Sequence, residues 1–163
     1  MKVVADSSIL ISLSNINRLE LLPRRFHQGI FVPEAVWREI VEAGHGRPGA
    51  DAVHSASWIT RQNVQNRALV IALETTLDGG EAEVIALAQE IQANLVLLDE
   101  KEARKVARRL GLPTLGTVGM LIWATKQKII PSLRVELDRL REEGGFRLGE
   151  DVYQIALQQV GEA

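Results

Sequence analysis

Asp6 and Asp99 each follow an apolar run, Val3-Val4-Ala5 and Leu95-Val96-Leu97-Leu98. If these runs are strands of an open parallel sheet, both acids stand at the edge where strands end and ligands bind. Two more acids are placed by helical periodicity at 100° per residue. Over 33–43 the apolar arc is marked by Ala35, Val36, Ile40 and Ala43. Glu39 lies at its border, with Glu34, Arg38 and Glu42 opposite. Over 80–92, Val84, Ile85, Leu87, Ala88 and Ile91 mark the buried arc, and Glu81 falls inside it while Glu83 falls outside. A carboxylate turned toward a core is costly unless it is paired, hydrogen-bonded or bound to metal. Each acid also has a plainer reading. Asp6 or Asp99 could cap a helix, and Asp99-Glu100-Lys101-Glu102 fits a capping box. Glu39 or Glu81 could sit in a buried ion pair, or Glu81 could take the third helical position of a box opened by Asp78.

The four acids say more as a set. Gathered at one edge, each close pair repels by about 4 kcal/mol at 4 Å and an effective dielectric near 20. Protonation or a divalent cation relieves that repulsion. Oxygen donors without His or Cys favour Mg²⁺ or Mn²⁺ over zinc. Such a site can polarise a phosphodiester and activate water for in-line attack. Glu83 and Glu102 are the second-choice ligands.

The elements that must position these acids are legible as short apolar runs alternating with helical patterns. Strands are expected at 2–5, 29–32, 57–60, 94–98 and 112–115, and helices at 33–43, 80–92, 100–110 and 118–126. This alternation predicts an α/β fold with a largely parallel sheet. Pro33 suits a first helical turn, and Gly44 and Gly111 suit helix ends. The stretch 44–51 reads as a loop without the Gly-Lys-Ser/Thr ending of a phosphate-binding loop. The chain from Pro131 onward reads as a helix over 135–142, a Gly144-Gly145 break, and a helix over 151–159. One domain over 1–149 is expected, with a helical tail over 150–163 packed on it.

Composition sets outer bounds. The 163 residues suit one domain, and 46% hydrophobic with 25% charged residues is the balance of a globular chain. The longest apolar run, Ala68 to Leu73, has six residues, too few to span a bilayer. The N-terminus lacks the pattern of a signal peptide, and the absence of cysteine excludes disulfide, zinc-ribbon and thiol chemistry. A cytoplasmic location is the expectation. Nineteen Lys and Arg against 21 Asp and Glu give a net charge of −2, so any surface for nucleic acid must be local. The one clear basic stripe is Lys101, Arg104, Lys105 and Arg108, flanked by Arg109, opposite Ala103, Val106, Ala107 and Leu110. It starts beside Asp99 and would suit backbone phosphates, Arg104 first. It could equally be a solvated face complementing the helix dipole. Trp37, Trp58 and Trp123 read as core residues, and His27, His45 and His54 as surface residues.

Taken in order, Val3 to Ile11, Val32 to Ile40, Gly80 to Ala88 and Leu95 to Asp99 resemble the acid-bearing blocks of the PIN-domain family of metal-dependent ribonucleases. The separation of 18 between Glu81 and Asp99 resembles that of VapC-type toxins. The similarity is greatest to the PIN-like branch known only as a domain of unknown function. There Gly-Glu-x-Glu and Asp-x-x-x-x-Arg recur, here Gly80 to Glu83 and Asp99 to Arg104. The resemblance implies a five-stranded parallel sheet flanked by helices on both faces. It also implies Mg²⁺- or Mn²⁺-dependent hydrolysis of single-stranded RNA to 5′-phosphate and 3′-hydroxyl ends. Asp6, Glu39, Glu81 and Asp99 would hold metal and activate water, and Ser8 would hydrogen-bond within the acidic cluster. An antitoxin partner and homodimerisation are further implications. The chain departs from the pattern at Lys101, where many active relatives carry Asp, and at Glu81, where Asp is usual. Two other readings differ in class. One is a PIN-like binding or assembly module without catalysis. The other is a haloacid-dehalogenase-type phosphotransferase, set aside because Ser8 occupies the place of its second Asp.

Overall fold

The computed structural model describes residues 1–47 and 49–163; Pro48, inside the expected loop 44–51, lies outside the described residues. Five three- or two-residue strands form one parallel sheet: β1 (Val3–Ala5), β2 (Ile30–Val32), β3 (Ile59–Arg61), β4 (Leu95–Leu97) and β5 (Thr114–Leu115). Their order is β3-β2-β1-β4-β5. The chain therefore builds outward from β1 on one side, then returns and builds outward on the other. The reversal falls between β1 and β4, where Ala5 is level with Leu97. In open α/β sheets this switch point is where the crevice beyond the strand ends opens.

The first helix on each side leaves directly from that edge. α1 (Ser7–Asn15) and α2 (Leu21–Arg25) follow β1, and α3 (Glu34–Trp37) follows β2. The last of these runs on into a π-turn over Arg38–Glu42, closed by the Ala43 N–H on the Arg38 carbonyl at 2.7 Å. Then come α4 (Ala50–Ser55), α5 (Arg67–Leu73), α6 (Gly79–Glu90), α7 (Lys101–Arg109), α8 (Thr117–Lys126), α9 (Leu133–Glu142) and α10 (Glu150–Val160). The expected strands and helices are all present, with ends moved by one or two residues. The 44–51 loop is shorter than expected, because Ala50 and Asp51 already belong to α4. Helices α1, α2, α4 and α5 go beyond the sequence reading. In α5 the apolar run is continuous and so carries no period; only Val70 is buried, while Ile71 stays exposed.

Alternate residues of a strand face opposite sides, and all three residues of β1 are buried, so helices cover the sheet on both faces. α6 packs on β1 and β4 and also against α3, α5 and α7, so every residue from Gly80 to Ala88 is buried. α8 packs on α1, and α9 and α10 pack on α8 and on each other. The core is almost wholly aliphatic. The three tryptophans lie partly exposed at its margin; Arg61 stacks over Trp37 at 5.0 Å and Arg25 over Trp123 at 5.2 Å. All three histidines are exposed. Among the described residues no helix is long and apolar enough to cross a membrane.

Candidate active site

Asp6 is carried straight off β1, its N–H bound to the Leu97 carbonyl of β4 at 3.0 Å. It occupies the N-cap position of α1 with extended backbone, yet its carboxylate makes no capping bond. The side chain is therefore free to face the switch point, and it is only 4% exposed. Burial pushes its carboxyl up to about 7. The charges of Glu81, Glu39 and Asp78 press the same way, and the neighbouring Ser7 amide partly offsets them. Ser8 Oγ donates to Asp6 Oδ2 at 3.3 Å.

Glu39 reaches this point from the π-turn. The wider turn breaks the even 100° spacing assumed for one continuous helix over 33–43, and Glu39 emerges exposed. Its Oε2 accepts from Ser7 Oγ at 2.6 Å. Its Oε1 lies against Gly80, at the place where a side chain there would begin. Glu81 is in a complete capping box: its N–H donates to Asp78 Oδ1 at 2.8 Å and its Oε1 accepts from the Asp78 N–H at 3.2 Å. The plainer reading of Glu81 is thus realised, and its second oxygen remains outside the box. Burial raises the Glu81 carboxyl, against the Asp78 hydrogen bond, and the charges of Asp78, Glu100 and Glu39 add to the rise.

Asp99 stands on the same edge beyond β4 but is held differently. It does not cap α7. That place belongs to Glu100, whose carboxylate accepts from the Ala103 N–H at 3.0 Å. The capping alternative for Asp99 is not realised, because Asp99 is taken by the start of α8. It accepts from the Thr117 N–H at 2.7 Å and the Thr117 hydroxyl at 2.6 Å. Burial raises its carboxyl, while the two Thr117 bonds and the Arg104 charge hold it down.

The structure thus brings Asp6, Glu39 and Glu81 within electrostatic reach of one another, together with Asp78 and Glu100. It sets Asp99 at the flank, tied to Thr117 and Arg104. The second-choice acids go elsewhere. Glu83 accepts from the Ala35 N–H and from Arg67, each at 3.1 Å, so it anchors α3 and α5 to α6. It is buried on a face judged exposed, because α6 is covered all round. Glu102 is exposed and meets Lys105 at 3.4 Å. Of the basic stripe, Arg104 and Arg108 line a cavity of about 320 Å³ that reaches Asp99. Lys101 is exposed and Lys105 turns to Glu102. A second hollow of about 200 Å³ borders Glu39, between α1 and the π-turn.

Sequence reasoning missed three members of this surround. Asp78 is visible in sequence only as a cap, and Glu100 only as part of a possible box opened by Asp99. Ser7, which supports Glu39, carries no signal of its own, while Ser8 bonds within the cluster as the resemblance implies. The donor chemistry fits a hard divalent ion. Every candidate ligand is an oxygen, and no ion pair of the described residues involves Asp6, Glu39, Glu81 or Asp99. A buried carboxylate pressed by three others calls for a cation or a proton. Among the described residues no three His, Asp or Glu side chains are already grouped tightly enough to share one ion.

A family model described as a PIN domain matches residues 2–162. No curated protein matches the chain.

Proposed function

We propose that this chain, which belongs to the PIN-domain family, is a divalent-metal-dependent endoribonuclease that hydrolyses single-stranded RNA. The family is one of nucleases in general; the substrate, the metal and the residue roles are our reading. The observation that carries it is Asp6, buried at the switch point among Glu81, Glu39 and Asp78, with no cation of the chain among the groups acting on it. Asp6, Glu39, Glu81 and Asp99 are the residues that would hold Mg²⁺ or Mn²⁺. The chemistry such an ion supplies is polarisation of a phosphodiester and acidification of water for in-line displacement.

The chain's own groups have separate tasks. Ser7 fixes the Glu39 carboxylate and the Asp78 box fixes that of Glu81, so both are oriented before substrate arrives. Asp6, which burial pushes up to about 7 without metal, would release its proton when it takes the ion, so metal binding should tighten as pH rises through about 7. Arg104, beside Asp99, is placed to meet a phosphate of the strand. Water attacks phosphorus, the bond to the 3′ oxygen breaks, and the products carry a 5′-phosphate and a 3′-hydroxyl. The Glu81–Asp99 spacing resembles that of VapC-type toxins, and that resemblance alone implies a toxin role, homodimerisation and control by an antitoxin. Residues 1–149 would be the catalytic domain and 150–163 its tail.

The test is incubation of the protein with mixed single-stranded RNA in Mn²⁺, in Mg²⁺ and in EDTA. Cleavage in either metal that EDTA stops is the expected result. No cleavage, together with no Mn²⁺ binding by calorimetry, would leave a PIN-like module without catalysis. A second test uses the glycine that lets Asp99 approach α8. A Cβ on Gly116 would lie 2.8 Å from Asp99 Oδ1 and 3.4 Å from an Arg104 guanidinium nitrogen. Gly116→Ala is expected to lower cleavage by about tenfold or more, since small misplacements of catalytic groups have costs of that size. The melting temperature should change little; unaltered cleavage would remove Asp99 from the site.

A further inference from the structure

The 320 Å³ cavity beside Asp99 has walls from three parts of the chain. Arg104 and Arg108 stand one turn apart on α7, and Val118 comes from α8. Phe146 and Arg147 come from the segment joining α9 to α10, after the Gly144-Gly145 break. None of the three arginines forms an ion pair with another described residue. Seven of the chain's other cations do, whereas these three unpaired guanidiniums converge on one hollow of a net-negative protein. Planar guanidinium forks match phosphate oxygens. Phe146 is half-buried, so it presents an aromatic surface to the hollow while staying anchored to the core. Charge for a phosphate beside a ring for a base is the pattern of single-stranded nucleic-acid sites.

We propose that this cavity seats one nucleotide of the RNA strand next to the scissile bond, its phosphate on Arg104, Arg108 and Arg147 and its base against Phe146. The inference rests on the nuclease reading and deepens it. The 146–149 segment is then a substrate-reading element rather than a linker. Arg147 and Phe146 have no place in the basic stripe of α7. The segment is held there by bonds to α9, from the Phe146 N–H to the Leu140 carbonyl at 3.0 Å and from Arg141 to the Leu148 carbonyl at 3.0 Å, and by the packing of α10 on α8 and α9.

The test is fluorescence anisotropy of a fluorescein-labelled single-stranded RNA octamer with the full chain in EDTA, over a salt series. Arg147→Ala should weaken binding by about tenfold and reduce the slope of log K against log salt by about 0.7. Phe146→Leu should weaken it by about tenfold and Phe146→Tyr by less than about twofold, because Tyr keeps the stacking ring. Arg109→Ala, on the same helix but outside the cavity, should stay within about twofold. The Leu and Tyr pair retains an apolar anchor, so a fold lost in Phe146→Ala would not obscure the result. Equal losses in Arg147→Ala and Arg109→Ala would overturn the proposal. So would binding of an oligoglutamate peptide in place of RNA, which would make the cavity a peptide seat. If the wild type cuts RNA while both cavity variants cut with unchanged KM, the cavity assignment fails and the nuclease reading stands. If cavity-dependent RNA binding is found without metal-dependent cleavage, the cavity assignment stands and the nuclease reading fails.

Discussion

Asp6→Asn is expected to abolish cleavage and, at the same time, to make the protein more stable at pH 8. The two effects have opposite signs because the same carboxylate does both jobs. Partners that merely orient metal ligands already cost about 10–100-fold when removed, so loss of a ligand should cost at least the upper figure. The stability effect follows from proton linkage. The Asp6 carboxyl sits at about 7 in the folded protein against 3.8 ordinarily. Between those values the folded state holds more protons than the unfolded state, so stability falls as pH rises from about 4 to about 7 and then levels off. Each tenfold change in proton affinity is worth about 1.4 kcal/mol, which sets a ceiling of about 4 kcal/mol for the full interval. Allowing half for relaxation around the charge, about 2 kcal/mol should be recovered by Asn. For a chain of this length that is a rise of roughly 4–8 °C in Tm at pH 8 and almost none near pH 4. Asn keeps an acceptor for the Ser7 amide, so local structure is retained. Melting curves across pH, with cleavage assays on the same samples, check both halves. An Asn variant less stable than wild type at pH 8 would show that Asp6 is paired rather than strained.

The second large effect lies far from the site. Glu136 on α9 is 2% exposed and accepts from Arg18 at 2.8 Å and from Arg139 at 3.3 Å. Arg18 lies between α1 and α2, and its Nε is buried without a partner. Removing one partner of a fully buried ion pair costs about 3–5 kcal/mol, but Arg18 and Arg139 keep access to water and a second carboxylate each, so about 2 kcal/mol is expected for Glu136→Ala. That is still a sizeable part of the roughly 5–15 kcal/mol that stabilises an ordinary domain. Urea denaturation should show a lower midpoint with an unchanged slope. Arg18→Met with Glu136→Leu should recover much of the loss, since apolar replacement of a buried pair is often close to neutral. A Glu136→Ala cost below about 1 kcal/mol would put this pair with solvent-exposed bridges instead.

Legibility followed the range of the interactions involved. β1 and β4 are buried on both sides and read as unbroken apolar runs, so the acids after them stood out. Glu81 and Glu83 both lie on α6, which is covered all round. The apolar period over 80–92 marks one buried face correctly for Glu81 but leaves Glu83 on a face that only packing with α3 and α5 shows to be buried. The capping alternative for Asp99 stays open in the sequence because the choice between it and Glu100 as cap depends on Thr117, which only the sheet brings near. Glu39 was placed approximately because a π-turn leaves no mark in residue type. Arg147 and Phe146 lie in a segment without period, and their position depends on its bonds to α9 and on how α10 docks.

The strand order also sets when the site can exist. β1 is complete within the first five residues, yet its neighbour β4 is some 92 residues later, as the contact of Lys2 with Asn94 shows. Closing that span has an entropic cost before any contact rewards it, which places β1–β4 pairing among the slower steps of folding. Asp6 therefore emerges early from the ribosome and waits. Asp6, Glu39 and Glu81 can meet once α6 packs on β1 and α3, but Asp99 joins their edge only when β4 docks. Arg147 follows later still, so a nascent chain carries the acids before the cavity proposed for RNA has closed.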